Sequence, residues 1–287
     1  MKIVTDCAAD MPASELAALD IEQAPLFIQF PEGEVNSADI SADEFYNRLE
    51  AMRPAIPSTA QPSSGVFEAI YRRLAASSQE IFSIHISSGL SGTLNAAQLG
   101  GEQARDAAQV HFWDTMTLSG GERFQVLAAA LGHKAGWTLE QIQARMSAIR
   151  AHTEVIYTLE TLEYLARGGR IGRVQALMGS VLKLKPIINV SHEDGKYSTI
   201  DKARTIPTAL ASLTEYLVGV YQKTPLWVNI LHGRFQQGAE MLSTLATEQL
   251  NVAKLEISRI SPVLGVHTGP GIVGCAVVPM ELLADLL

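Results

Sequence analysis

Ile86-Ser87-Ser88-Gly89-Leu90-Ser91-Gly92-Thr93 is the stretch on which the fold turns. A β-rich run, residues 81–86, leads into it, and a run of helical composition, residues 94–108, leads out. Between them stand four hydroxyls and two glycines. A helix start offers free backbone N–H groups and partial positive charge. Small residues let an anion approach the backbone, and Ser and Thr add donors. The stretch therefore reads as an anion site just past a strand end, where open α/β sheets bind ligands. An ordinary strand-to-helix turn with a Ser or Thr cap accounts for the same residues.

Working outward, the first half alternates. Residues 2–5 suit a short buried strand, 13–19 a short helix, and 24–30 a second strand. Ser41-x-x-Glu44 caps a helix to residue 52, broken by Pro54 and Pro57. Residues 58–64 form a second hydroxyl-rich loop, whose end caps a helix over 65–76. Downstream lie a strand at 110–113, an Ala-rich helix at 119–136, and a helix to residue 151 capped by Thr138-x-x-Gln141. This order predicts an α/β fold with a mostly parallel sheet flanked by helices on both faces.

The second half changes character. It reads as a strand at 154–158, a helix at 159–166 broken by Gly168-Gly169-Arg170, and a helix at 174–182. A hairpin over 186–190 and 196–200 turns at Asp194-Gly195. A helix from Pro207 to residue 221, a buried strand at 226–231, a helix at 236–249 and a half-buried strand at 252–260 follow. Residues 267–271 read as a tight loop before a final strand at 272–278. The expected division is 1–155 and 156–287, with the chain free to cross over.

Composition narrows the classes. The 287 residues are 47% hydrophobic and 18% charged, as in a globular protein with a sizeable core. A balance of 22 basic against 30 acidic residues argues against a nucleic-acid surface. Cys7 and Cys275 alone make no disulfide framework, so a reducing, cytoplasmic compartment is expected. The opening MKIVTDCAAD reaches Asp6 without an apolar run, and no apolar run is long enough to span a membrane.

Several motifs tempt. Gly269-Pro270-Gly271-Ile272-Val273-Gly274 matches G-x-G-x-x-G, but a β-rich run follows where the dinucleotide fingerprint needs a helix. Gly89-Leu90-Ser91-Gly92-Thr93 nearly matches a hydrolase nucleophile elbow, with Asp114 and His267 available downstream. Among the seven histidines no pair has metal-ligand spacing, so no metal and no cofactor is expected. His232 follows a buried strand and suits a structural role. His267 stands in a constrained loop and is the better site candidate. From Ala166 to Val190 there is no acid, while Arg167, Arg170, Arg173, Lys183 and Lys185 are present. That run is either a solvated face or a docking surface for an acidic or phosphate-bearing partner.

Six stretches taken together resemble the DegV family, the fatty-acid-binding proteins that serve bacterial fatty acid kinase. They are residues 4–12 (VTDCAADMP), 59–63 (TAQPS), 86–93 (ISSGLSGT), 165–171 (LARGGRI), 185–188 (KPII) and 265–271 (GVHTGPG), in the family's order along the whole chain. The resemblance implies two α/β domains, the second with a mixed sheet, and a ligand tunnel between them. It implies a long-chain fatty acid whose carboxylate is held by Thr59, Ser91 and His267, supported by Ser88, Gly92, Thr93 and Gly269. It implies that Arg170, with Arg173, meets the kinase subunit, which phosphorylates the presented acid, so the chain itself has no catalytic residue. The only other partner it allows is a passing membrane surface, and nucleic acid is not expected. Two positions depart from the family pattern: Cys7-Ala8 stand for Ser-Thr, and Ala60 for Ser, which leaves the ligand and the role of Asp6 open. The alternatives are a lipid or acyl-ester hydrolase using Ser91 and His267, and a carrier for another amphiphilic acid.

Overall fold

The structure, a computed structural model, describes residues 1–177 and 184–287. In chain order the first half runs β1 (Lys2–Asp6), α1 (Ala13–Ala18), β2 (Ile21–Ala24), β3 (Phe27–Phe30), β4 (Gly33–Asn36), α2 (Ala42–Ala51), β5 (Ser58–Ala60), α3 (Ser64–Ala75), β6 (Glu80–His85), α4 (Thr93–Gln103), β7 (Gln109–Asp114), α5 (Ser119–Lys134) and α6 (Leu139–His152). It continues through β8 (Glu154–Thr158), α7 (Glu163–Arg167), β9 (Lys185–Val190), β10 (Tyr197–Ala203), α8 (Ile206–Tyr221), β11 (Leu226–His232), α9 (Gln236–Gln249), β12 (Val252–Arg259), α10 (Pro262–Thr268) and β13 (Val273–Pro279).

The alternating first half builds a parallel sheet of order β2-β1-β6-β7. Its inner strands, β1 and β6, are buried along almost their whole length because helices cover both faces. α3 and α4 seal one face through Phe67, Ile70, Tyr71, Ala96 and Ala97. The second half builds a six-stranded mixed sheet of order β10-β9-β8-β13-β11-β12, antiparallel except for β11 with β12. The last strand, β13, is buried throughout and lies between β8 and β11. α8 and α9 cover the outer face of this sheet.

α5 is the shared layer. It packs on β1 and the turn at Cys7–Ala9 on one side and on β8 and β13 on the other. Thirteen of its sixteen residues are buried, as expected for a helix in the middle of a core. Its first turn is thin. A Cβ at Gly120 would lie 2.6 Å from Ala276 Cβ, and one at Gly121 would lie 2.6 Å from Val155 Cγ2. Asp10 fastens the same region. Its half-buried carboxylate accepts from the Ser261 N–H at 2.7 Å, just before α10, and from the Ser119 hydroxyl that opens α5.

The structure corrects the expectations at five places. The expected strand at 24–30 is two strands, because Pro25 supplies no N–H to continue the ladder. The chain leaves the parallel sheet at Ala24 and enters a small antiparallel sheet of order β4-β3-β5. The expected loop at 58–64 begins as β5, with Thr59 opposite Ile28; Ser and Thr carry turn composition, and the strand exists because β3 offers an edge. The helix expected at 159–166 is the shorter α7. His267 and Thr268 are the last turn of α10, not a loop; Pro262 opens that helix and Val266 packs with Phe45, Tyr46 and Tyr164. The helix expected at 174–182 starts as a 3-10 turn, Gly172–Leu177, and its remainder lies, with Lys183, outside the described residues.

Two outcomes follow. Gly120→Ala gains at most ~1 kcal/mol of helix propensity but overpacks the α5–β13 contact by ~1–3 kcal/mol, so urea unfolding should show a net loss. Burial raises the Asp10 pKa from 3.8 to about 6, against the lowering effect of its Ser119 and Ser261 hydrogen bonds. The folded state therefore holds that proton more tightly, and this group's contribution to stability falls as pH rises from 4 through 6. Asp10→Asn should grow more stable relative to the parent across that window in denaturation curves taken at pH 4, 5, 6 and 7; a constant difference would refute the assignment.

Candidate functional site

The site begins with Asp6. Its buried carboxylate accepts from Ala8 N at 2.9 Å, Ile86 N at 3.1 Å and His85 Nδ1 at 3.0 Å. With Nδ1–H donated there, His85 Nε2 accepts from Ser83 Oγ at 2.7 Å, and Ser83 accepts from Tyr71 OH at 2.8 Å. This closed buried chain fixes where the 86–92 loop leaves β6, and it gives Asp6 a structural role. The loop then docks on the β9–β10 turn. Ser87 Oγ donates to Gly195 O at 2.9 Å, and Gly89 lies so close to Asp194 O that a Cβ would overlap it.

Thr59, Ser91 and His267 come from β5, the β6–α4 loop and α10, and all three line one cavity of about 290 Å³. Residues 8–91 supply one wall, including Ala8, Leu26 and Leu90; Tyr197, Leu264 and Arg170 supply the other. Thr59 Oγ1 and His267 Nε2 are 2.8 Å apart. Ser91 Oγ pairs with Thr93 Oγ1 at 2.8 Å and accepts from Thr93 N at 3.3 Å. Gly92 has no room for a Cβ beside the Gln61 amide, which also faces the cavity. Ser88, Gly92, Thr93 and Gly269 lie outside the cavity lining, Ser88 exposed and Thr93 buried. Ser88 N donates to Asp114 Oδ1 at 3.2 Å, and Gly269, at φ +74, ends α10 against the Tyr164 ring.

His267 is buried, and its Nδ1 has no hydrogen-bond partner. Gly168 lies against that nitrogen, where a Cβ would overlap it. Desolvation, and to a lesser degree the Arg170 charge, lower the ring's pKa to about 4. The imidazole is therefore neutral near pH 7. Among the described residues that line the cavity, the positive charge is Arg170, which is exposed and held by its own backbone, with Nη1 donating to Gly168 O at 2.8 Å and N to Leu165 O at 3.1 Å. Arg173 lies outside the cavity lining and pairs with Asp194 Oδ2 at 2.7 Å. Arg167 and Lys185 donate to Pro54 O and Glu160 O.

Behind Tyr197 and Leu264 the cavity adjoins a smaller apolar chamber of about 30 Å³, walled by Leu118, Val155, Tyr157 and Ile272 among others. A polar mouth with an apolar space behind it suits an amphiphile with an anionic head. A hydrolase is poorly served. Among the described residues no hydrogen bond joins Ser91 to His267, and Asp114 accepts from Ser88 N and Met116 N instead. Gly269 to Gly274 runs into β13, so the dinucleotide context is missing. Gly168 was legible in the sequence only as a helix breaker. Tyr157 and Tyr197 gave no signal, since strand aromatics are usually core.

The model of a family described as uncharacterised protein, DegV family, matches residues 1–280. A DegV domain-containing protein of Deinococcus radiodurans is 36% identical over 280 residues, covering 96% of this chain and 95% of that one. The solved structure "Fatty Acid Binding of a DegV family Protein from Thermus thermophilus" superposes with a TM-score of 0.89 at 27% identity, over 97% of this chain and 99% of that one. "DegV, a fatty acid binding protein from Bacillus subtilis" superposes with a TM-score of 0.86 at 27% identity, over 96% and 98%.

Gly168→Ala should push the imidazole off Thr59 while leaving the fold intact. In proton NMR of the parent, the His267 ring should titrate near pH 4, and in the variant nearer to the ordinary 6.5 as water enters. A parent ring that titrates near 6.5 would contradict the burial argument.

Proposed function

The chain belongs to the DegV family, and on that footing we propose that it binds one long-chain fatty acid and presents the carboxylate to a separate ATP-dependent kinase. The observation that carries this reading is the single cavity with Thr59, Ser91 and His267 at its polar end and an apolar chamber behind. An ionised carboxylate only accepts hydrogen bonds, so each group that meets it must donate. Thr59 and Ser91 donate their hydroxyl protons. The neutral His267, protonated on Nε2, donates to the ligand or to Thr59 Oγ1, which frees the Thr59 proton for the ligand.

The acyl chain supplies most of the affinity. Burying a methylene gains ~0.8 kcal/mol, so about fifteen give a gross ~12 kcal/mol before ordering costs. The head contacts add ~1 kcal/mol each and set which end faces out. Arg170, at the mouth, fits the approach of a partner carrying phosphate, and Arg173 extends that basic surface. The acyl phosphate would form on the partner's magnesium-ATP, with a membrane surface as the place of exchange.

Native mass spectrometry of the purified protein, with lipid extraction alongside, should show one fatty acid per chain; a ligand-free mass that does not shift after incubation with fatty acids would refute the proposal. Thr59→Ala and Ser91→Ala should each weaken binding roughly five- to tenfold without abolishing it. Arg170→Ala should spare lipid binding and slow phosphorylation by the kinase; loss of the lipid instead would make Arg170 a ligand-holding residue.

A further inference from the structure

Three spaces adjoin one another, and the residues they share give their order. Tyr197 and Leu264 line both the polar cavity and the apolar chamber. The chamber in turn adjoins a groove of about 440 Å³ whose wall includes Met11, Pro12, Leu16 and Ala38, with Pro12 and Ala38 exposed. Ile260 is the one described residue common to the linings of the chamber and the groove. It is 3% exposed and belongs to the same apolar core as Leu118, Leu231 and Leu264. Its backbone N–H donates to His232 O at 3.0 Å, which pins it at the end of β12. Polar contacts close the partition beside it. Ser119 lines the chamber, Asp10 and Ser261 line the groove, and the Asp10 carboxylate accepts from both serines.

We infer that Ile260 is the stop at the far end of the acyl space and sets the longest chain the protein accepts. This rests on the fatty-acid reading above and specifies the chain-length class of that same site. With the carboxylate held at Thr59, Ser91 and His267, a longer chain extends only at its methyl end. Each added methylene is buried and tightens binding roughly fourfold until the methyl meets Ile260. One carbon further must displace that side chain or the backbone that Asp10 braces, and a close-packed interior resists overfilling. A chamber of about 30 Å³ leaves little slack before that point. Affinity therefore climbs with length and then falls. The length at which it falls is set by a side chain outside the headgroup contacts, which makes Ile260 a specificity-determining residue.

The test is a competition assay in which straight-chain saturated acids from dodecanoate to tetracosanoate displace a fluorescent fatty acid. In the parent, affinity should rise with length to a maximum and then fall roughly tenfold within about two further carbons. Ile260→Val removes one carbon from the end wall and Ile260→Ala removes three. The maximum should move to chains longer by about one methylene in the first and about two to three in the second. Ile260→Val is mild enough to fold, so it decides the matter if Ile260→Ala does not. A core that is merely loosened weakens every length alike and leaves the maximum where it was, and that result would overturn the inference. So would a parent whose affinity keeps rising to tetracosanoate, a comparison that needs no variant. Failure of the fluorescent acid and of every acid in the series to bind the parent would instead remove the fatty-acid reading itself, so the two failures are told apart.

Discussion

Two sheets share one helix, and the rest of the molecule is arranged around that constraint. α5 must be buried along most of its length and thin where it enters, and Gly120 and Gly121 make it thin. The sheets can then close on it at its first turn. At that end the space between them is not filled by helix, and there the cavity opens. Asp10 ties the entrance of α5 to the start of α10, so the element that bears His267 is fastened to the element that separates the sheets. The position of the histidine is thus a consequence of how the layers are joined.

The polar chemistry is divided by depth. The buried Asp6 and the half-buried Asp10 are spent on backbone N–H groups, a histidine and a serine, and they hold loops in place. The groups that face the cavity at its polar end are hydroxyls, an amide and an uncharged imidazole. A set of neutral donors can hold a carboxylate without a compensating buried cation, and the one guanidinium stands at the rim where water screens it. Grip and charge are thereby separated in space.

Much of this was legible in the chain. The run from Ile81 to Thr93 announced a strand, a turn and a helix, and the alternation around it announced the parallel sheet, because each element carries its own period and caps. Asp194-Gly195 announced the hairpin through Gly195, which stands at φ +63. What the chain did not announce were elements made by their neighbours. β5 is a strand because β3 offers an edge, and α10 is a helix because α2, α7 and the small sheet enclose its apolar side. The residues Thr59, Ser91 and His267 were named by motif, but their meeting was not derivable from spacing, since 176 residues separate Ser91 from His267 and only tertiary packing closes that gap.

The place of β13 has a consequence for the making of the protein. It is the last strand in the sequence, yet it sits between β8 and β11 and joins the two parts of the mixed sheet. During synthesis β8 to β12 emerge first, with two raw edges facing an empty slot. Until residues 273–279 leave the ribosome, that slot can be filled by the wrong strand from another chain. A message truncated shortly before this point would yield an unclosed sheet with aggregating edges, not a slightly shortened binder, and the cell would meet it as a chaperone client.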